Sequence, residues 1–390
     1  MLVAWIVAVT LAADERWQFR GQVENRSLFY TEESATAPAR ASNDTLLRVE
    51  TGWRLGRGWQ WRGALDAQTA TAGQVTNGFD WFDATERRPA VAVRQLFLRY
   101  ARGPVTLELG KQPLEWSSLD LLSPADRVAP RDLMSPSGAT RLGVWAARLA
   151  VDTGRHRVEG VWLPRFTPSR IPLMDQRWAV APASIPFFTT RYTGRGLPGG
   201  PQFGGRYTWI HPRAELSAVL FDGYQPLPST ATSIQFLARR VDYRFLYPRH
   251  RLVSGAATIP WAGWLWKSEV ARLAPDGLWS GVLMAERARR HWTAGAGWLW
   301  TRPATGTAPA YASGFVGRAT WTPRTRHTLS AEGGVQRNGQ ALVSRFLYTR
   351  DLRHGVRTQA GYVWIRGART EWLSRYAMNS HALLEMDWSF

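Results

Sequence analysis

Hydrophobic and polar residues alternate with a period of two along most of the chain. Trp17, Phe19, Gly21 and Val23 stand against Gln18, Arg20, Gln22 and Glu24. Leu47, Val49, Thr51, Trp53 and Leu55 stand against Arg48, Glu50, Gly52 and Arg54. The same holds for Trp59, Trp61, Gly63, Leu65 and Ala67 against Gln60, Arg62, Ala64, Asp66 and Gln68. Later, Trp292, Ala294, Ala296, Trp298 and Trp300 share one face, and Leu329, Ala331 and Val335 oppose Glu332 and Gln336. Successive side chains of a strand point to opposite sides, so each stretch predicts a strand with one apolar and one mostly polar face. No segment sustains a helical period over three turns. The predicted fold class is all-β.

Turn signals are alternately short and long. The short ones include Gly56-Arg57-Gly58, Arg102-Gly103-Pro104, Asp152-Thr153-Gly154, His211-Pro212-Arg213, Ala262-Gly263, Ala288-Arg289-Arg290, Pro323-Arg324-Thr325 and Arg353-His354-Gly355. Longer connections lie between them, around 31–44, 70–90, 112–139, 165–203, 223–249, 302–312 and 367–379. This rhythm predicts a transmembrane antiparallel β-barrel with short periplasmic turns and long extracellular loops. Counting up and down from Trp17 predicts about 18 strands, with 16 as the fallback. A β-sandwich also alternates, but it would not carry an aromatic-rich face on nearly every strand. At the end of the chain, Ala382, Leu384, Met386, Trp388 and Phe390 alternate with Leu383, Glu385, Asp387 and Ser389. That ending resembles the C-terminal signal of bacterial outer-membrane β-barrels, and the resemblance implies a bacterial outer-membrane location with Phe390 at the periplasmic rim.

Composition narrows the reading further. The 390 residues include no cysteine, which excludes disulfides, iron–sulfur clusters and thiolate metal sites. A mean hydropathy of −0.28 is too polar for a bundle of membrane helices. The apolar run Met1 to Ala13, followed by Asp14 and Glu15, reads as a secretory signal segment with cleavage near Ala12 or Ala13. Residues 1–13 are then signal peptide and 14–390 the barrel. The 22 tryptophans suit a membrane–water boundary, where an amphipathic ring is favoured.

The chain carries 49 Lys+Arg against 30 Asp+Glu, a formal net charge of +19. All but Lys111 and Lys267 of those cations are arginine. Such a surplus favours anionic partners, among them lipopolysaccharide phosphates and acidic solutes. No nucleic-acid-binding pattern is present, so nucleic acid is not an expected partner. A barrel of about 18 strands is wide enough for an aqueous lumen, which predicts polar inward positions. The inward cations are Arg20, Arg48, Arg54, Arg62, Arg148, Arg157, Lys267, Arg318, Arg345 and Arg357. Inward acids are Glu24, Glu50, Asp66, Glu159, Glu269, Glu286, Glu332 and Glu385. Two readings compete for any one arginine: a wall ion pair that stiffens the barrel, or a free cation that concentrates anions in the pore.

The segment Lys111 to Thr140 is too long for a simple connection and holds Trp116, Asp120, Asp126, Arg127, Arg131 and Asp132. These are candidates for a loop that folds inward and narrows the channel, as the resemblance to outer-membrane barrels implies; an extracellular loop packed on its neighbours is the alternative. Arg165 to Gly204 reads as a lid or an external platform. Most of the seven histidines lie beside short turns, and no nucleophile or metal-ligand spacing appears, so catalysis and cofactors are not expected.

The architecture, the Phe390 ending, the arginine excess, the stretch Gly110-Lys111-Gln112 through Asp132-Leu133, and Val161-Trp162-Leu163-Pro164 together resemble the alginate export porin family and related porin-like barrels. The resemblance implies a channel in the outer membrane that exports a secreted, acidic polysaccharide, with lipid and lipopolysaccharide around it. It also implies a periplasmic polysaccharide export protein as partner. A monomer is the expected state. The alternatives are a general diffusion porin for small anionic solutes and, in another class, an outer-membrane enzyme or surface-loop binding platform.

Overall fold

The computed structural model describes residues 16–34, 39–71, 73–117, 119, 123–134, 140–179, 187–302, 313–337, 339–368 and 372–390. The signal segment expected at 1–13 and the candidate Asp120 lie outside the described residues. Six strands open the wall: β1 (Trp17–Tyr30), β2 (Ala41–Gly56), β3 (Trp59–Ala70), β4 (Arg88–Arg102), β5 (Val105–Gln112) and β6 (Val144–Asp152). Six more continue it: β7 (His156–Leu163), β8 (Gln202–His211), β9 (Ala214–Tyr224), β10 (Arg249–Trp261), β11 (Trp264–Ala274) and β12 (Leu278–Arg289). The last six are β13 (Trp292–Arg302), β14 (Gly314–Arg324), β15 (His327–Gln336), β16 (Ala341–Asp351), β17 (Val356–Gly367) and β18 (His381–Ser389).

Each strand pairs antiparallel with the next, and β18 returns to β1, from Gln22↔Ser389 to Tyr30↔His381. The wall is thus a closed barrel of 18 strands, as the turn rhythm predicts. Closure reaches the final residue, because Gly21 and Phe390 exchange both backbone hydrogen bonds at 2.8 and 2.9 Å. A Cβ at Gly21 would overlap the Phe390 ring, so the missing side chain is what seats this aromatic terminus. The same sheet carries a nineteenth strand, Val75–Asp80, parallel to β4 outside the closed circuit, and the connections add a separate three-stranded sheet and a two-stranded one.

Alternation decides which face meets what. Trp53, Leu65, Leu149, Val158, Phe203, Leu220, Val253, Leu283, Phe315, Phe346 and Leu384 stay exposed on the outer face around the wall. So continuous an apolar surface is stable only against hydrocarbon, and closure removes every unpaired strand edge that lipid would penalise. The protein is a transmembrane β-barrel. The apolar belt has a polar inset near the long-loop end of β1 and β2. There Asn25 bonds Thr45 at 2.8 Å and Asn43 bonds Ser27 at 2.9 Å, so these groups satisfy one another.

Inside, the two ends of the barrel differ. The short-turn half is lined by charged side chains. In the long-loop half the inner wall turns apolar at Val161, Leu163, Val219, Phe221, Leu252, Ala271 and Leu273, all buried. This departs from the expectation of uniformly polar inward positions. The reason is that Leu114, Trp116, Ala125, Val128 and Ala129, from the long connection after β5, pack against that wall. A second cluster joins Trp178, from the connection after β7, to Leu28, Tyr30, Val363, Ile365 and Leu383 of β1, β17 and β18. The connection after β17 contributes a 3-10 helix, Trp372–Asn379.

Candidate functional site

Among the described residues, three segments fold inward and narrow the long-loop half of the lumen. The first runs from Pro113 to Gly143. Its Trp116 ring lies over Gly204, where a Cβ would come within 2.6 Å, and its indole N–H donates to the Glu159 carboxylate on β7. Further on, Glu269 of β11 accepts from the Ser123 hydroxyl at 2.5 Å and from the Ala125 amide at 2.6 Å. The segment therefore spans the inner wall from β7 to β11 before turning back. Asp126 braces the return, accepting from Arg131 and, at 3.1 Å, from Arg141. Arg127 sits in the same turn, its amide bonded to the Ala125 carbonyl at 2.7 Å.

The return ends at Asp132, the best-anchored of the candidate residues. Arg88 of β4 grips it in bidentate fashion at 2.8 and 2.9 Å, and the Met134 amide adds a bond at 3.1 Å. The second segment, residues 165–178, brings Arg170 to 3.6 Å from the same carboxylate and to 2.6 Å from Asp83. Asp83 belongs to the third segment, residues 81–87, and also holds Lys111 at 2.6 Å. Lys111 is fully buried and spends its remaining donors on the carbonyls of Val93 (2.5 Å) and Trp81 (3.1 Å). Burial pushes the Asp132 carboxyl up, but Arg88, Arg170 and the Met134 amide outweigh it and hold the group below the usual carboxylate range. Burial likewise raises Asp80, and the hydrogen bonds from Thr85 and Phe82 with the charge of Arg170 more than reverse it. Beyond this cluster, Arg177 caps the Tyr30 ring at 3.9 Å and donates to the Met378 carbonyl at 2.8 Å.

Beside these anchors is an interior cavity of about 110 Å³, lined among others by Glu24, Arg26, Arg48, Asp66, Arg88 and Arg94. Its charges are mutually neutralised. Arg48 meets Asp66 at 2.7 and 2.9 Å, and Arg26 meets Glu385 at 2.7 Å and Glu24 at 2.6 Å.

The same ladder continues round the lumen through most of the arginines expected there. Arg148 bridges Glu108 (3.0 Å) and Glu159 (2.6 Å), with Arg157 at 3.5 Å from Glu159. Lys267 and Arg318 share Glu286 at 3.2 and 3.0 Å. Arg345 meets Glu332 at 3.2 Å, and Arg357 meets Asp351 at 2.7 Å. Three of the expected cations stand apart. Arg20, Arg54 and Arg62 are exposed on the inner face of β1, β2 and β3, and among the described residues none of them forms an ion pair. Across β1–β2, Arg20 lies opposite Glu50 in register, while across β2–β3 Arg54 faces Gln60 and Arg62 faces Gly52.

Alternation located the wall residues, Glu269 among them, but it did not reveal Asp83, Arg88 or Arg170, nor the anchors Arg177 and Trp178. Nothing local distinguishes these from other loop and strand residues; Arg170 meets Asp83 from 87 residues away, and Arg88 meets Asp132 from 44.

No family model matches the sequence, and no curated protein matches it. Among solved structures, one described as concerning asymmetric conductivity of engineered proteins aligns with 96% of this chain and 100% of its own, at 11% identity and a TM-score of 0.48. Two engineered variants of the Rhodopseudomonas blastica porin align over the same shares, at 10% and 9% identity and TM-scores of 0.47 and 0.45. At that level of likeness no residue role or cargo carries over to this chain.

Proposed function

We propose that this protein is a channel of the bacterial outer membrane that passes small anionic solutes. The observation that carries the reading is the arginine trio Arg20, Arg54 and Arg62, exposed to the lumen and without carboxylate partners among the described residues, while Arg48, Arg148 and Arg318 are paired. A free cation in a pore with low-dielectric walls raises the local concentration of anions, whereas a paired one contributes almost no net field. The inward-folded segments narrow the long-loop half, which suits small solutes. The mechanism is partition: an anion enters the wet, short-turn half, exchanges between arginines and leaves past the segments without any covalent step.

Export of an acidic polysaccharide is the second reading, favoured by the width of an 18-strand wall once the segments at 113–143 and 165–178 are displaced. Planar-bilayer recording under a salt gradient tests the main reading. The expected result is a reversal potential of anionic sign that collapses in Arg20→Gln/Arg54→Gln/Arg62→Gln. Cation selectivity, or no conductance, overturns it. Liposome swelling with charged sugars of increasing length separates the cargoes: a cut-off at short sugars supports small solutes, and entry of long acidic chains supports the polymer.

A further inference from the structure

The outer wall carries a concave apolar groove on strands β13 to β17, with a volume of about 700 Å³. Its floor is made of Ala294, Ala319 and Ala331, which sit side by side in register. Trp292 and Trp321 face one another across β13 and β14 at one flank, and Phe346 and Tyr362 across β16 and β17 at the other. Small side chains ringed by aromatic ones leave a trough in the belt where neighbouring hydrocarbon would otherwise meet a level surface.

The groove ends at the short-turn rim, and the rim just beneath it is strongly basic. Arg289 pairs in register with Trp292, Arg324 with His327, and Arg350 with the same His327. Arg290 and Arg326 occupy the adjoining turns, and all five arginines are exposed. Asp351, the acid of these turns, is held by Arg357 at 2.7 Å. His327 meets the Tyr348 hydroxyl through Nδ1 at 2.7 Å, which ties the rim histidine to the groove's aromatic edge. An apolar trough opening onto unneutralised arginines at one end complements a molecule with a hydrocarbon tail and an anionic head.

We infer that this groove is a site for an anionic phospholipid of the periplasmic leaflet. One acyl chain lies over Ala294, Ala319 and Ala331, and the phosphate reaches Arg289, Arg324 and Arg350. The site rests on the outer-membrane reading above for its orientation, since the short turns are then periplasmic. Arginine suits the task because its planar fork can hold two phosphate oxygens at once.

The test is native mass spectrometry of the full chain in detergent with equal amounts of phosphatidylglycerol and phosphatidylcholine of the same acyl chains. Retention of phosphatidylglycerol is expected to exceed that of phosphatidylcholine by about tenfold. Arg289→Gln/Arg324→Gln/Arg350→Gln should remove that preference while leaving weak retention of both lipids. Ala319→Leu/Ala331→Leu should reduce retention of both, and heat-modifiable gel mobility reports that each variant is a closed barrel. Equal retention of the two lipids by the unaltered chain overturns the inference, as does a preference that survives both variants. Displacement of phosphatidylglycerol by lipid A at lower concentration than by phosphatidylglycerol itself overturns the assignment to the periplasmic leaflet. Failure to conduct in bilayers by a chain that still selects phosphatidylglycerol counts against the channel reading and not against this site.

Discussion

The two halves of the lumen use the same charged residue types to opposite ends. In the long-loop half, Arg88, Arg170, Lys111, Asp83 and Asp132 are buried and interlocked, and they pin inward-folded segments to the wall. In the short-turn half, ion pairs line a wetter wall, and Arg20, Arg54 and Arg62 face the lumen without an ion-pair partner among the described residues. Burial makes the difference. A desolvated pair is costly to break from one side, whereas a wall pair in contact with water contributes little when removed as a pair.

The strongest way to break this contrast is Asp132→Asn. Leaving Arg88 and Arg170 facing a neutral amide should destabilise the docked segment by about 3–5 kcal/mol. The expected readout is larger, noisier single-channel conductance with new protease cleavage between 113 and 143. Unchanged conductance and protection would show that the segment is held by its apolar packing alone.

Acid should act on the same anchor. Asp132 and Asp80 are held below the ordinary carboxylate range in the folded protein. A depressed folded pKa adds stability that is fully present above the unfolded value and is lost as pH falls through the folded one. The window therefore opens below about pH 4. Conductance that rises reversibly there, and does not in Asp132→Asn, is the expected result; a flat profile removes these carboxylates from the anchoring.

In the wetter half, Arg20→Gln/Arg54→Gln/Arg62→Gln should lower the anion-to-cation permeability ratio by roughly severalfold, more at low salt than at high salt. Reversal potentials at two ionic strengths check both parts. The smallest effect is expected for the paired exchange Arg357→Gln/Asp351→Asn, a water-exposed pair of the short-turn half, about 1 kcal/mol or less in urea unfolding with selectivity unchanged. A large selectivity change there would erase the distinction between paired and free wall charges.

The fold was largely legible in the sequence because alternation, short turns and an aromatic ending are local signals. Trp53 and Leu65 on one face, with Arg48 and Asp66 on the other, already say which side meets lipid. The inward course of the segment at 111–140 was legible as one of two alternatives, from its length and its mixture of Trp116 with charges. What it touches was not legible. Glu269 looks like any other inward strand charge and Arg88 falls in the connection expected at 70–90, and only the closed wall brings them to Ala125 and Asp132. Alternation alone likewise puts all ten inward cations in one class. Pairing divides them, because whether Arg48 or Arg62 has a carboxylate opposite depends on register across strands.

The seam between β1 and β18 has a consequence for how the molecule is made. It joins positions as much as 369 residues apart, Gly21 and Phe390, so two ribbon edges stay open until assembly is nearly finished. Open edges are templates for pairing with the wrong chain, which makes the unclosed barrel the aggregation-prone species. The seam also guards its own alignment: Gln22 bonds Asp387 at 3.0 Å and Arg26 bonds Glu385 at 2.7 Å on the inner face. A slip by one residue would turn both carboxylates outward into hydrocarbon. The last strand therefore acts as a proofreading clasp, admitting one alignment and rejecting its neighbours.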